Sequence, residues 1–196
     1  MVVPGRDWRI QLINAHRDLF RAPAGAPVLA QAYPQCGPGW QEILTNACAR
    51  IRASLDPQES IELEQIRAKC GTLRIYWRGR LSEHSRWKVE GVVALAEARS
   101  ATTCEQCGQE GRLTRAGRIL TTRCPTHQIG HLVPIEAKFQ NIHIVQRVVD
   151  GRPEVACRRY DRATDRFVDI ALPLRRLRTL RRQSVPSPEG RVRRHG

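Results

Sequence analysis

The sequence predicts an α+β protein: a helical N-terminal half that includes a β-hairpin, a zinc ribbon or treble clef, and a C-terminal antiparallel β-meander followed by a basic helix and tail. Three observations predict it. Apolar residues recur at three- and four-residue spacing before position 100, they alternate in short runs after position 140, and four metal-ligand residues lie between. On this reading the chain divides into an α+β unit over 1–100, a zinc-binding module over 101–131, a basic β-rich extension over 132–183 and a disordered basic tail over 184–196.

Residues 6–20 read as a helix with Trp8, Leu12, Ala15, His16 and Leu19 on one stripe, which makes His16 a core histidine rather than a ligand. Pro23, Pro27, Pro34 and Pro38, with Gly25, Gly37 and Gly39, mark 21–39 as loop. A second helix runs from about Trp40 to Leu55, its apolar face formed by Trp40, Ile43, Leu44, Ala47, Ile51 and Leu55. Asp56-Pro57 ends it, because the residue before a proline is disfavoured in the helical region. Segments 61–67 and 72–77 read as a hairpin turning at Lys69-Cys70-Gly71-Thr72, with Ile61, Leu63, Leu73, Ile75 and Trp77 alternating with polar residues. Ile66 breaks the alternation, so a helix over 59–69 stays open as an alternative. Ser82 is placed to cap a helix over 83–99 that carries Glu83 in its first turn and buries Val89, Val92, Val93 and Ala96.

The metal candidates follow. Cys104 and Cys107 form a C-x2-C pair, and after sixteen intervening residues Cys124 and His127 form a C-x2-H pair. A two-residue gap lets both side chains of one tight turn meet a single ion, and two such pairs complete the tetrahedron of a structural Zn²⁺ site. Gly108 closes the first turn, where a glycine can take positive φ while backbone N–H groups approach the sulfurs. Leu113–Thr114 and Ile119–Thr122 flank Arg115-Ala116-Gly117-Arg118 as a short hairpin. A helix beginning at Cys124 would make the module a treble clef, and another turn would make it a ribbon. His131 is the alternative fourth ligand, but the spacing of His127 mirrors the first pair.

Three thiolates and one imidazole fill all four positions and leave the centre net negative, so the site reads as structural and the protein as non-enzymatic. The order of pairs is reversed relative to the zinc deaminases, and no H-x-E precedes them. A metal-dependent nuclease would need a further site, for which His131 and His143 are the nearby candidates, and this is the least favoured reading. No phosphate-binding loop, nucleophile elbow or dinucleotide fingerprint is present. Cys70 beside Gly71 reads as a small buried thiol rather than a nucleophile.

Strands are expected at 142–149, 154–160 and 166–171, with turns at Asp150-Gly151 and 161–165. Leu174, Leu177 and Leu180 then start a short helix bearing Arg175, Arg176, Arg178, Arg181 and Arg182. The charge is as uneven as the structure is segmented. The chain has 33 basic and 19 acidic residues, a formal net charge of +14. Residues 1–111 hold 14 basic and 12 acidic residues, whereas residues 112–196 hold 19 and 7. That asymmetry points to a polyanionic partner for the zinc module and the extension. Lys69, Lys88 and Lys138 are the only lysines, and the arginine fork suits phosphate. A GC-rich coding sequence would also raise the Arg share, but it does not account for the asymmetry.

No apolar run approaches the roughly 18–20 residues that span a bilayer. The N-terminus lacks a basic segment followed by an apolar one, so no signal peptide is expected. Of seven cysteines, Cys36, Cys48, Cys70 and Cys157 lie outside the metal motif and suggest no disulfide framework. A reducing bacterial cytoplasm is the expected setting.

Three stretches resemble motifs of a known family. They are Cys36-Gly37-Pro38-Gly39-Trp40, the run Gln65-Ile66-Arg67-Ala68-Lys69-Cys70-Gly71-Thr72-Leu73-Arg74-Ile75-Tyr76, and Ala96-Glu97 through Ser100 into Cys104, Cys107, Cys124 and His127. Together they are similar to an uncharacterised family of small zinc-binding proteins encoded by bacteriophages and prophages. In that family the middle motif reads like KFGGLRFY. Here Cys70 stands for the phenylalanine and Thr72 for the second glycine, and Ile119-Leu120 stand where an aromatic residue precedes the second metal pair. The similarity covers about residues 30–130 and implies a bacterial or phage origin, a zinc site and no known reaction.

These readings combine into an expected function. The chain is a non-enzymatic, zinc-binding accessory protein that binds DNA or RNA. Arg112, Arg115, Arg118 and Arg123 lie around the zinc hairpin, and Arg158, Arg159, Arg175, Arg176, Arg178, Arg181 and Arg182 continue the phosphate track. The alternative is a module that binds a host or phage protein, such as an anti-defence inhibitor or a subunit of a bacterial nucleoprotein complex.

Overall fold

The computed structural model describes residues 7–149 and 152–170. Its elements run α1 (Trp8–Ala15), α2 (Arg17–Phe20), α3 (Gln41–Ala53), β1 (Ser60–Lys69), β2 (Thr72–Arg80), α4 (Glu83–Ser100), β3 (Arg112–Ala116), β4 (Ile119–Arg123), β5 (His131–Leu132), β6 (Ile142–Val149), β7 (Arg152–Asp161) and β8 (Arg166–Asp169). The strands form three small antiparallel sheets, ordered β1-β2, β4-β3-β5 and β6-β7-β8. The architecture is α+β, as the sequence predicts. Among the described residues no helix is long and apolar enough to cross a membrane.

The first expected helix is two helices. His16 leaves the helical region at φ −132 and ψ 45, ending α1 and starting α2. The break shifts the buried stripe, so Leu12, Ile13, Leu19 and Phe20 are buried while Ala15 is exposed. His16 is buried as expected, and burial first, then the nearby Arg52 charge, push its pKa below the usual histidine value. In α3 the expected face is the observed one. Trp40, Ile43, Leu44, Ala47 and Ile51 are all buried.

The hairpin reading holds over β1 and β2, and the helical alternative for 59–69 does not. The register shifts between Leu63 and Gln65. This bulge adds one residue to the strand and returns Ile66 to the face of Ile61 and Leu63, so all three are buried despite the broken alternation. The turn places Cys70 at φ 52 and Gly71 at φ 79, two positive values in succession, as tight hairpins require. Cys70 is exposed at this turn, which corrects its reading as a buried thiol. Ser82 caps α4 as expected, its hydroxyl accepting from the Ser85 N–H at 3.2 Å. Val89 and Ala96 are buried, while Val92 and Val93 are half-buried against the core.

The meander strands fall where the sequence places them, with β7 starting two residues earlier and β8 ending two residues sooner than expected. Val145 and Tyr160 are buried. Asp165 in the β7–β8 turn ties the meander to the helices: it accepts from the Tyr160 hydroxyl at 2.9 Å and pairs with Arg50 of α3 at 3.1 Å and Arg99 of α4 at 3.2 Å. Arg162 of the same turn donates to the Thr102 carbonyl at 2.9 Å and the Thr103 hydroxyl at 2.8 Å. The expected basic helix and tail lie outside the described residues.

Candidate metal centre

The first ligand pair is built directly on the end of α4. The Thr102 and Thr103 hydroxyls bond back to the Arg99 carbonyl at 3.1 and 2.8 Å, satisfying a carbonyl that the ending helix leaves open. The chain then folds into a tight turn in which the Cys104 N–H donates to the Gln109 carbonyl at 2.7 Å and the Gly108 N–H to the Cys104 carbonyl at 2.9 Å. Gly108 takes φ 79, the conformation for which a glycine is needed here. The second pair sits at the end of β4. Cys124 is extended, Pro125–His127 make one 3-10 turn, and the chain leaves it extended at Gln128. No α-helix begins at Cys124, a local geometry that fits a ribbon better than a treble clef.

One ligand atom from each of Cys104, Cys107, Cys124 and His127 lies within 4.8 Å of every other. The Cys107 and Cys124 sulfurs are 3.6 Å apart, and His127 Nδ1 is 3.3 Å from the Cys124 sulfur and 3.8 Å from that of Cys104. A tetrahedron with Zn–S bonds of about 2.3 Å requires sulfurs about 3.8 Å apart. The cluster therefore has the size of a single four-coordinate ion, and Nδ1 is the His127 nitrogen that would hold it. Three thiolates and an imidazole are a donor set compatible with zinc. His131 is exposed in β5, where it pairs with Arg115, and it is not part of the cluster.

Burial opposes ionisation of the Cys104 thiol, but hydrogen bonds from the backbone N–H groups of Cys124, Cys107 and Gln106 outweigh it and bring its pKa down to about 6. Cys107 moves the other way: the hydrogen bond from the Gln109 N–H lowers its pKa, but desolvation and the neighbouring Cys104 and Cys124 sulfurs together push it up. Cys36 and Cys48 differ, because burial pushes both thiols up to about 12 and leaves them inert.

The loop before α3 grips the first pair. The Gly39 N–H donates to the Glu105 carbonyl at 2.8 Å, the Gly37 N–H to the Glu105 carboxylate at 3.0 Å, and the Trp40 indole to the Thr103 carbonyl at 2.8 Å. A Cβ on Gly39 would lie 2.2 Å from the Cys104 carbonyl oxygen and 2.5 Å from the Gly108 nitrogen. The β1–β2 turn grips the hairpin beyond: the Thr122 hydroxyl donates to the Gly71 carbonyl at 2.6 Å. The Leu73 N–H donates to the Ser100 hydroxyl at 2.8 Å, just before the module. The three stretches singled out in the sequence therefore converge around one metal turn. Gly37, Gly39 and Glu105 were not read as site residues. The available signal was the Gly-Pro-Gly sequence immediately before a large apolar residue, which marks a close backbone approach.

The candidate phosphate contacts divide sharply. Arg112, Arg115 and Arg118 are exposed on the β3–β4 hairpin, and among the described residues none has an ion-pair or hydrogen-bond partner. Arg123 is tucked against Glu105 at 3.9 Å and Gln106 at 3.4 Å. Arg158 is paired with Asp169 at 2.9 Å and donates to the Phe167 carbonyl at 2.7 Å, and Arg159 donates to the Lys138 carbonyl at 3.3 Å. Arg175, Arg176, Arg178, Arg181 and Arg182 lie outside the described residues.

The chain matches no family model, no curated protein and no solved structure. What the centre can do therefore rests on its own geometry. Four protein ligands close the coordination sphere, and the closed centre can hold two turns and a hairpin in register.

Proposed function

We propose that this chain is a non-enzymatic nucleic-acid-binding accessory protein of a phage or mobile genetic element, with zinc as a structural ion and a bacterial cytoplasm as its setting. The phage assignment follows the motif resemblance alone. One observation carries the binding reading: the side chains of the hairpin arginines Arg112, Arg115 and Arg118 have no partner among the described residues. In the N-terminal half Arg9, Arg21, Arg50, Arg52, Arg74, Arg78 and Arg99 pair with carboxylates, whereas Arg17, Arg67, Arg80 and Arg86 have no carboxylate partner among the described residues. Cations already neutralised by the fold add little to a phosphate interface, and free ones release counterions when they bind.

A protein-binding module is the second reading, favoured by the outer face of the meander. Ile144, Val155 and Val168 share that face with Cys157 and are 64%, 55% and 41% exposed. Affinity for nucleic acid measured across salt concentrations separates the two. Replacing Arg112, Arg115 and Arg118 with alanine should flatten the slope of log K against log salt by about two to three units. A wild-type protein that ignores nucleic acid at low salt, yet forms a nuclease-resistant complex with one protein, would refute the first reading.

A further inference from the structure

A cleft of about 510 Å³ opens where the β1–β2 turn, the zinc hairpin and the segment leading into β6 meet. Its size suits a small ring system rather than a peptide helix. Leu113, Val133 and Ile135 give its lining apolar surface, and Glu110 and Arg112 give it charge of both signs. Phe139, Gln140 and Asn141 line it in succession.

Phe139 is unusual in this chain. Of the three phenylalanines, Phe20 is buried and Phe167 packs against Tyr160 and His143, whereas Phe139 is 49% exposed. The Lys138 ammonium stands 5.0 Å over one face of its ring and is paired with Glu136 at 2.6 Å, so among the described residues the free cation of the cleft is Arg112 rather than Lys138. The side-chain amide of Gln140 has no hydrogen-bond partner among the described residues. Asn141 sits at φ 54, a conformation asparagine tolerates, so its residue type has a backbone explanation, and that of Gln140 does not.

We propose that this cleft seats one unstacked base of a single-stranded nucleic acid, with Phe139 as the stacking platform, Gln140 bonding the base edge and Arg112 holding the adjoining phosphate. The inference rests on the nucleic-acid reading and narrows it from polyanions in general to single strands. An exposed aromatic face beside a cation is how proteins hold single strands with little sequence preference. An amide carries both a donor and an acceptor and so can pair with a base edge. Bases stacked inside a duplex cannot reach such a cleft.

The test uses the full-length zinc-loaded chain and fluorescence anisotropy with a labelled mixed-sequence single strand and its duplex. Phe139→Ala should weaken single-strand binding about 5- to 150-fold, leaving duplex binding and the salt slope as in wild type. Phe139→Trp should restore the affinity, and its added fluorescence should be quenched by the single strand. Arg112→Ala should instead lower the salt slope by about 0.7 to 0.9. Phe139→Ala binding single strands within about twofold of wild type would overturn the cleft proposal while leaving the phosphate reading intact. Wild-type protein binding neither strand form would overturn both. Loss of a protein complex in Phe139→Ala with unchanged nucleic-acid affinity would assign the cleft to a peptide and overturn the proposal.

Discussion

The two ligand pairs of the metal centre stand in different surroundings. Cys104 and Cys124 are both buried, Cys107 is exposed and His127 half-buried, so the pairs differ in what locks them. The first turn is tied by Gly37, Gly39 and Trp40 on one side and by the end of α4 on the other. The second pair rests on a single 3-10 turn whose Pro125 and Thr126 are exposed. The first turn is therefore part of the wall of the core, and the second is a clasp that closes over it. An ion joining them would stabilise the helical half as well as the hairpin, because the first turn is held by residues 37–40, while Gly71 accepts from Thr122 of β4 and Leu73 donates to Ser100 of α4.

The largest expected effect comes from the first turn. Cys104→Ser removes a ligand whose backbone is tied to the core, and metal affinity worth roughly 10 kcal/mol or more is comparable to the whole stability of a domain. Native mass spectrometry should show no bound metal and circular dichroism no cooperative melt. His127→Ala should be milder, since three thiolates remain: weaker metal affinity with α3 and the β1–β2 hairpin still folded. Equal collapse in both would erase the distinction between wall and clasp. Gly39→Ala comes next. Its Cβ meets two backbone atoms of the metal turn that cannot rotate away, and overpacking of this kind costs about 1–3 kcal/mol or more. Urea denaturation should reveal it, together with faster loss of metal to a chelator. Thr122→Val strands the Gly71 carbonyl and should cost about 1–3 kcal/mol without loss of metal.

The smallest effect is a pH dependence confined to the helical half. Burial holds the His16 pKa below 6.5 in the folded chain. Below pH 6.5 the unfolded chain takes up a proton that the folded chain refuses, so stability falls as pH drops from 6.5 toward the folded value. Replacing His16 with glutamine should remove that part of the loss, seen as a smaller shift in urea midpoint between neutral and mildly acidic pH.

Much of this was legible in the sequence because it is local. Periodicity located α3, α4 and the three meander strands, and ligand spacing located all four metal residues and preferred His127 to His131. The bulge at Leu63–Gln65 was visible only as a broken alternation at Ile66, which a helix explained equally well. The contact of Gly39 with the metal turn joins residues 65 or more positions apart, and no periodicity records such a pairing. Charge count likewise does not separate free cations from paired ones. Arg158 carries the same formal charge as Arg118, but one is paired with Asp169 and the other has no partner among the described residues. The asymmetry between chain halves told where the charge was, and only the fold tells how much of it remains free.

The central claim is that metal binding locks residues 37–40 to the ligand turn. Hydrogen exchange of the zinc-loaded protein before and after chelation tests it most directly, with metal stoichiometry measured on the same sample. The account predicts one ion per chain, and on chelation a loss of protection at the Gly39 and Gly37 amides together with those of residues 104–108. Absence of stoichiometric metal, or amides at 37–39 that stay protected while 104–108 open, would contradict it.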